Sequence, residues 1–484
     1  VPTEDLAGIY NEYYGKKVIS SDEILKCTKV LYLGWLGEKV GGAKLFKTYA
    51  SKSPFLMEDL HNYFQDGLFR SLAEGNFSGS YDAVIVGAPN YGIPGHSQHG
   101  RVYVIYTDKD GALPLDDMDL DTKAHTILDG TIANGRFGTA VAVVDLNRDG
   151  VDDLAVSAPS AGANSLQYTG TVYVYYGALG KGLSSKPSLT INGKGQYYNL
   201  GTTLMGADVD SDGHKDLVIG SPYAPEGGPQ RGSVSVFLAK TPRKTGEEYS
   251  VADADWKIVG EQDFSWFGYA LELAFHDKQP LLVAAAPTFR ICAIADCKYS
   301  TNDTQSVGRI YVYSLTSGVL SHAVVTVTGH ETFMKFGTSL AFGRPRTNTD
   351  LLAVSAPTQS VFGHIVKIVP ETFEQCGTIY LLDVSEIMSH KGNVPLSSLH
   401  AVTIFEGDRS YARFGWTLDF SDLNLDGVDD LMFASPFRTS DLTEELKGAE
   451  EGEAYVFYGG KDFPTGKATR GCTLVEPCPG DKVS

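Results

Sequence analysis

A mainly β fold, a β-propeller preceded by a short α-helical segment, is what the sequence predicts. Three observations carry the prediction. A four-part unit recurs six times. Each unit reads as four short strands divided by turn residues. Three of the units carry the same acidic loop at the same place. Self-similarity of this kind marks a repeat architecture, and four strands per repeat suit propeller blades.

Residues 1–67 stand apart. Leu6, Ile9, Tyr10 and Tyr13 follow helical spacing. Ser20 with Glu23 makes a capping box, and Pro54 sits where a helix's first turn would be. The segment reads as two to four helices, with no converging set of zinc ligands.

Residues 68–484 read as the propeller. The units open at Leu68-Phe69, Phe137-Gly138, Leu200-Gly201, Phe267-Gly268, Phe336-Gly337 and Phe414-Gly415. Each has a second apolar run ending in two small residues and a proline, as at Ser157-Ala158-Pro159. Proline lacks an N–H and so closes a strand without breaking a ladder bond. A third strand follows, as in GTVYVYY from Gly170, and a fourth, as in LTING ending at Gly193. The sixth unit ends with Thr473-Leu474-Val475. Near-continuous apolar runs such as Leu217-Val218-Ile219 fit sheets buried on both faces.

The acidic loops predict calcium. The first offers Asp145, Asn147, Asp149 and Asp153, the second Asp208, Asp210, Asp212 and Asp216, and the third Asp422, Asn424, Asp426 and Asp430. Oxygen side chains thus stand at positions 1, 3, 5 and 9, with Val151, His214 or Val428 at 7 to offer a carbonyl. Gly150, Gly213 and Gly427 at position 6 permit the tight turn. Alternate oxygens around a turn suit a hard cation, at the weak affinity of extracellular modules. Unit one has Glu74, Asn76, Ser78 and Asp82 without the glycine; units four and five have Asp277-Lys278 and Arg344-Pro345-Arg346. No ion is expected in these three.

Composition excludes several classes. A net charge of −19 leaves no basic stripe for nucleic acid. No apolar run is long enough for a membrane span. No nucleophile elbow or phosphate-cradling loop is present. Of six cysteines, Cys292 with Cys297 and Cys472 with Cys478 are spaced for loop-closing disulfides more than for a zinc knuckle. The sequons at Asn76 and Asn302 agree with a secreted, extracellular glycoprotein. His96 and His99 read as a surface loop rather than a metal pair. Trp256, Trp266 and Trp416 read as packing residues.

The units resemble the FG-GAP repeats of integrin α-subunit propellers. The wording is more similar to the glycosylphosphatidylinositol-specific phospholipase D family, in FGTAVAVVDLNRDGVDDLAVSAPS, DLVIGSPYAPEGG, GEQDFSWFGYAL and CTLVEPCP, and in the helical DLAGIYNEYYGKKVI and YASKSPFLMEDLHNYF. The resemblance implies a secreted enzyme that hydrolyses the inositol phosphodiester of glycolipid anchors. Its partners would be GPI-anchored proteins, their glycolipid anchors, and a membrane or lipoprotein surface. It implies zinc only in a His- and Asp-rich catalytic domain expected before Val1, so no catalytic residue is carried over. It also implies seven blades. The other class of function, a non-catalytic propeller for adhesion or assembly, fits the repeats but not residues 1–67.

Overall fold

The computed structural model describes residues 71–93, 97–107, 120–162, 166–241, 243–292, 304–315, 322–346, 349–366, 369–424, 426–437 and 453–468. The helical segment, the first opener, Asn302, Cys297, Cys472, Cys478, His96 and residues 473–475 lie outside them.

Six antiparallel sheets follow one another in chain order. The first is β1 (Ser71–Gly75), β2 (Ala83–Ala88), β3 (Arg101–Tyr106) and β4 (Thr126–Asp129), with the short helix α1 (Leu120–Lys123) before β4. The second is β5 (Val141–Val144), β6 (Asp153–Ala158), β7 (Thr171–Tyr175) and β8 (Leu189–Asn192). The third segment carries β9 (Thr203–Ala207), β10 (Asp216–Ser221), β11 (Ser233–Phe237), β12 (Glu248–Ser250) and β13 (Trp256–Val259). The fourth carries β14 (Leu271–His276), β15 (Gln279–Ala286), β16 (Arg309–Ser314) and β17 (Val325–Thr328). The fifth has β18 (Leu340–Arg346), β19 (Thr349–Ala356), a side hairpin of β20 (Val361–Val366) and β21 (Val369–Phe373), then β22 (Thr378–Asp383), α2 (Val384–Ser389), β23 (Gly392–Pro395) and β24 (Thr403–Glu406). The sixth has β25 (Thr417–Ser421), β26 (Asp430–Ser435) and β27 (Glu453–Phe457), followed by β28 (Gly466–Ala468). Among the described residues the sixth blade therefore has three strands, and the expected fourth falls outside them.

Three short strands depart from four per unit. β12 leaves the third blade and pairs in parallel with β8; β23 does the same to β17, and β28 to β24. Each connection between a blade's last two strands thus stitches the edge of the blade before it. An exposed edge offers unpaired N–H and C=O groups, and covering it removes a route to aggregation.

The core lies between blades. One apolar cluster joins Ile85 and Val104 of the first blade to Val143 and Leu154 of the second. Others join the second to the third, the third to the fourth, the fourth to the fifth and the fifth to the sixth. The opener residues are the wedges. Phe137, Phe267, Phe336, Phe414 and Leu200 are at most 2 % exposed and lie in these clusters. Burying one such ring contributes about 1.5–3 kcal/mol. Their placement requires close backbone approach. Gly100 has φ +83° and bridges to Phe137, whose carbonyl oxygen would stand 2.1 Å from any added Cβ.

Trp256 packs against the cluster between blades three and four, and Trp266 stands between Tyr223 and Tyr269. Trp416 stands edge-on to Phe437. His99 departs from its expected place at the surface. It is 5 % exposed, edge-on to Tyr91 at 5.5 Å. Cys376 is a buried free thiol.

Candidate metal centres

The three acidic loops are the hairpins β5–β6, β9–β10 and β25–β26, all at one end of the ring. Their internal bonding is the same three times. The first-position carboxylate accepts the amides of positions 5 and 6: Asp145 from Asp149 and Gly150, Asp208 from Asp212 and Gly213, Asp422 from Asp426 and Gly427. The fifth-position carboxylate accepts the amide of position 7, at 2.9 Å for Val151, 3.0 Å for His214 and 2.9 Å for Val428. The sixth-position glycines have φ of +79°, +91° and +85°.

The ninth residue anchors the loop to the sheet. Asp153, Asp216 and Asp430 are fully buried, and each bridges at least two amides, Asp153 also taking that of Asn147. Asp153 accepts from Leu146 and Gly177, Asp216 from Val209 and Ala239, Asp430 from Leu423 and Gly459. Burial pushes the Asp153 carboxyl up to about 8 and those of Asp216 and Asp430 to about 6. These amides do not offset the loss of water around the charge. A cation held by the other loop oxygens would.

The second loop gives the plainest fit to a cation. Asp208, Asp210 and Asp216 bring one oxygen each within 4.8 Å of one another. Asp210 Oδ1 is buried and accepts no hydrogen bond. Its Oδ2 faces the Lys240 ammonium at 2.5 Å. A carboxylate stands here where the other two loops have Asn147 and Asn424, so the lysine balances an extra charge. In those two loops the asparagine oxygen accepts the amide of position 5, and its amide nitrogen donates to the same residue's carboxylate. Side-chain oxygens at positions 1, 3 and 5 of these two loops are thus tied into one turn.

Unit one closes on itself, with the Asn76 side chain donating to Asp82 at 3.3 Å. Asp277 and Lys278, with φ of +49° and +64°, make a two-residue turn in unit four. In unit five the guanidinium of Arg344 pairs with Asp350 at 2.6 Å. None repeats the hydrogen bonding that the three acidic loops share.

Several residues with work at these loops carried no sequence signal. Asp152 and Asp429, at position 8, accept amides from the preceding blade, of Asn76 at 2.8 Å and Arg344 at 2.6 Å. The first and second loops also touch: His214 Nδ1 lies 2.8 Å from Asp145 Oδ2, and Arg148 3.3 Å from Asp212 Oδ2. These partners are roughly a blade apart in sequence, which no local pattern reports. The acidic residue at position 3 of the second loop was a cue that some cation, Lys240, must stand nearby.

A ring of blades with a wedged FG opener, and acidic nine-residue hairpins in three of them, defines an integrin-type propeller of FG-GAP repeats. The FG-GAP repeat model matches residues 137–175 and 200–237. The whole chain is 33 % identical to phosphatidylinositol-glycan-specific phospholipase D of Bos taurus and spans 72 % of that protein. The same protein of Rattus norvegicus is also 33 % identical, again with 72 % covered. Integrin alpha-3 of Cricetulus griseus is 28 % identical over 193 residues, 40 % of this chain. The chain belongs to the phosphatidylinositol-glycan-specific phospholipase D family. The bovine alignment runs over 618 positions against 484 residues here, so 134 positions are filled by the relative alone.

Among the described residues no group of histidines and carboxylates offers a zinc site; the second acidic loop is the one cluster of three acidic ligands.

Proposed function

We propose that this protein is a secreted phospholipase D-type hydrolase acting on the inositol phosphodiester of glycolipid anchors, releasing the anchored proteins. The observation that carries the reading is identity to such enzymes along the whole chain, helical segment included. The integrin likeness, which would favour a non-catalytic adhesion propeller, spans 40 % of the chain.

Within this function the propeller is a calcium-stiffened platform. Calcium would sit in the three acidic loops, held by the side chains at positions 1, 3, 5 and 9 and the carbonyls of Val151, His214 and Val428. Bound there, it would neutralise clustered carboxylates and lock each hairpin. Zinc would supply the activated water when held by the family's catalytic domain. Secretion is supported by the sequons and by Cys292, which is not a free thiol in the structure. We propose disulfides Cys292–Cys297 and Cys472–Cys478, and glycans on Asn76 and Asn302. Asn76 is half-buried, so its glycan requires the first hairpin to turn the amide outward.

The test is release of a GPI-anchored reporter from vesicles by the protein purified from its source. Phosphatidic acid left in the membrane supports the reading. Diacylglycerol, or an inert protein, refutes it, and an inert protein would favour the adhesion class.

A further inference from the structure

The end of the ring opposite the acidic loops carries the connections between blades. Three residues before each opener stands Asn134, Tyr197, Phe264, Phe333 or Tyr411, with φ between +56° and +65° for the four aromatics. Each donates its amide to a carbonyl of the neighbouring loop: Tyr197 to Gln167, Phe264 to Pro229, Phe333 to Gln305 and Tyr411 to Glu374, at 2.7–3.0 Å. The left-handed backbone is thus fixed by the repeat, and glycine or asparagine would fill it with least strain. Blade two uses asparagine. The other four use rings that are 44–56 % exposed, so packing does not account for them.

The asymmetry extends further. Twelve large apolar residues are exposed among the described ones, and nine of them lie at this end; Tyr81, Leu179 and Tyr458 lie at the other. Tyr197 stacks on Tyr168 at 5.7 Å. Just before the opener stands a cation in three of the five units, Arg136, Lys335 and Arg413, with Asn199 and Trp266 in the other two. Arg136 is exposed. Burial, and after it the charge of Arg413, holds the half-buried Lys335 ammonium below the usual lysine range; Arg413 lies over Trp416 and Phe437 at 5.4 and 4.7 Å. Carboxylates share this end too: Asp263 pairs with Arg231, and the Tyr411 hydroxyl donates to Glu374, so the rings stand in a surface of mixed charge.

We propose that this aromatic end docks on a membrane, the partner being a phosphatidylcholine-rich bilayer surface. Amphipathic rings held rigidly at one level suit the headgroup boundary, and tyrosine and tryptophan concentrate there. Ring faces attract the choline cation, while Arg136, which is exposed, and Arg413 meet lipid phosphates. Because the exposed rings gather at this end, they set the orientation. The inference rests on the proposed action at glycolipid anchors for its purpose, but not for its test.

The test is co-sedimentation of the full chain with phosphatidylcholine vesicles free of any glycolipid anchor, so its outcome is independent of hydrolysis. Native protein should bind. The fourfold variant Tyr197→Asn, Phe264→Asn, Phe333→Asn, Tyr411→Asn should bind at least about tenfold more weakly. Asparagine is the residue blade two already uses, so its melting temperature should not fall. Phe333→Asn alone should give an intermediate loss. Tyr81→Ser with Leu179→Ser, at the acidic end, should bind as the native does. Absence of native binding overturns the proposal. So does undiminished binding by the fourfold variant, loss caused by the acidic-end pair, or a vesicle-free dimer that only the fourfold variant loses.

Discussion

Replacing Asp210 by alanine separates ion holding from scaffolding in the second loop. Asp216 scaffolds: it is buried and bridges the amides of Val209 and Ala239. Removing it strands two buried donors, at about 1–3 kcal/mol each, with or without calcium. Asp210 scaffolds nothing. Its Oδ1 accepts no hydrogen bond, and its Oδ2 faces a lysine that is half-exposed. In chelator, Asp210→Ala should therefore unfold within about 0.5 kcal/mol of the native protein. With free calcium at about a hundred times its dissociation constant, one filled site adds about 2.7 kcal/mol. The variant should lose that share, and titration calorimetry should count two ions where the native protein takes three. Asp216→Ala should already be weakened by about 2–6 kcal/mol in chelator. Denaturant unfolding with and without calcium reads both quantities. Three ions bound to Asp210→Ala, or an undiminished calcium increment, would show that Asp210 holds no calcium. Equal damage from both variants in chelator would refute the division of labour.

Two further outcomes follow from the same geometry. Gly213→Ala meets nothing within 4 Å, so it should cost only the left-handed backbone strain, about 1–2 kcal/mol. Gly206→Ala places its Cβ 1.8 Å from the Val143 carbonyl oxygen between blades, and should yield little soluble folded protein. Expression followed by urea unfolding distinguishes them. The pH dependence in chelator has a definite sign. Asp153 titrates near 8, and Asp216 and Asp430 near 6, in the folded chain, against an ordinary 3.8. The folded state therefore binds more protons than the unfolded one across this window, and stability falls as pH rises from about 4 to 8. Asp153→Asn should flatten the fall between pH 6 and 8, and calcium should flatten it in the native protein. Melting temperatures at four pH values check this; a native protein in chelator that gains stability over that window contradicts it.

Much of the fold was legible because blades are local. Strands two to four, the small-small-proline stops and the FG wedges are all written within one repeat, and the sheets obey them wherever the structure describes those residues. The oxygens of the acidic loops were equally readable. Nine residues in one hairpin contain nearly every donor, and position 6 demands glycine whatever surrounds it. Other features joined residues from different repeats. Strands β12, β23 and β28 were not foreseen, because each pairs with the previous blade and carries no pattern of its own. The same holds for Asp152 on Asn76 and for Lys240 on Asp210. The exposed rings of Tyr197, Phe264, Phe333 and Tyr411 read in sequence like any other apolar residue near an opener. Only the folded succession of blades shows that they share one end, pinned by backbone bonds and left outside the core. Sequence alone fixed what each blade is, since its hydrogen bonds close within the repeat. The tertiary structure decided what the blades do to each other, since those contacts depend on distances the chain does not encode locally.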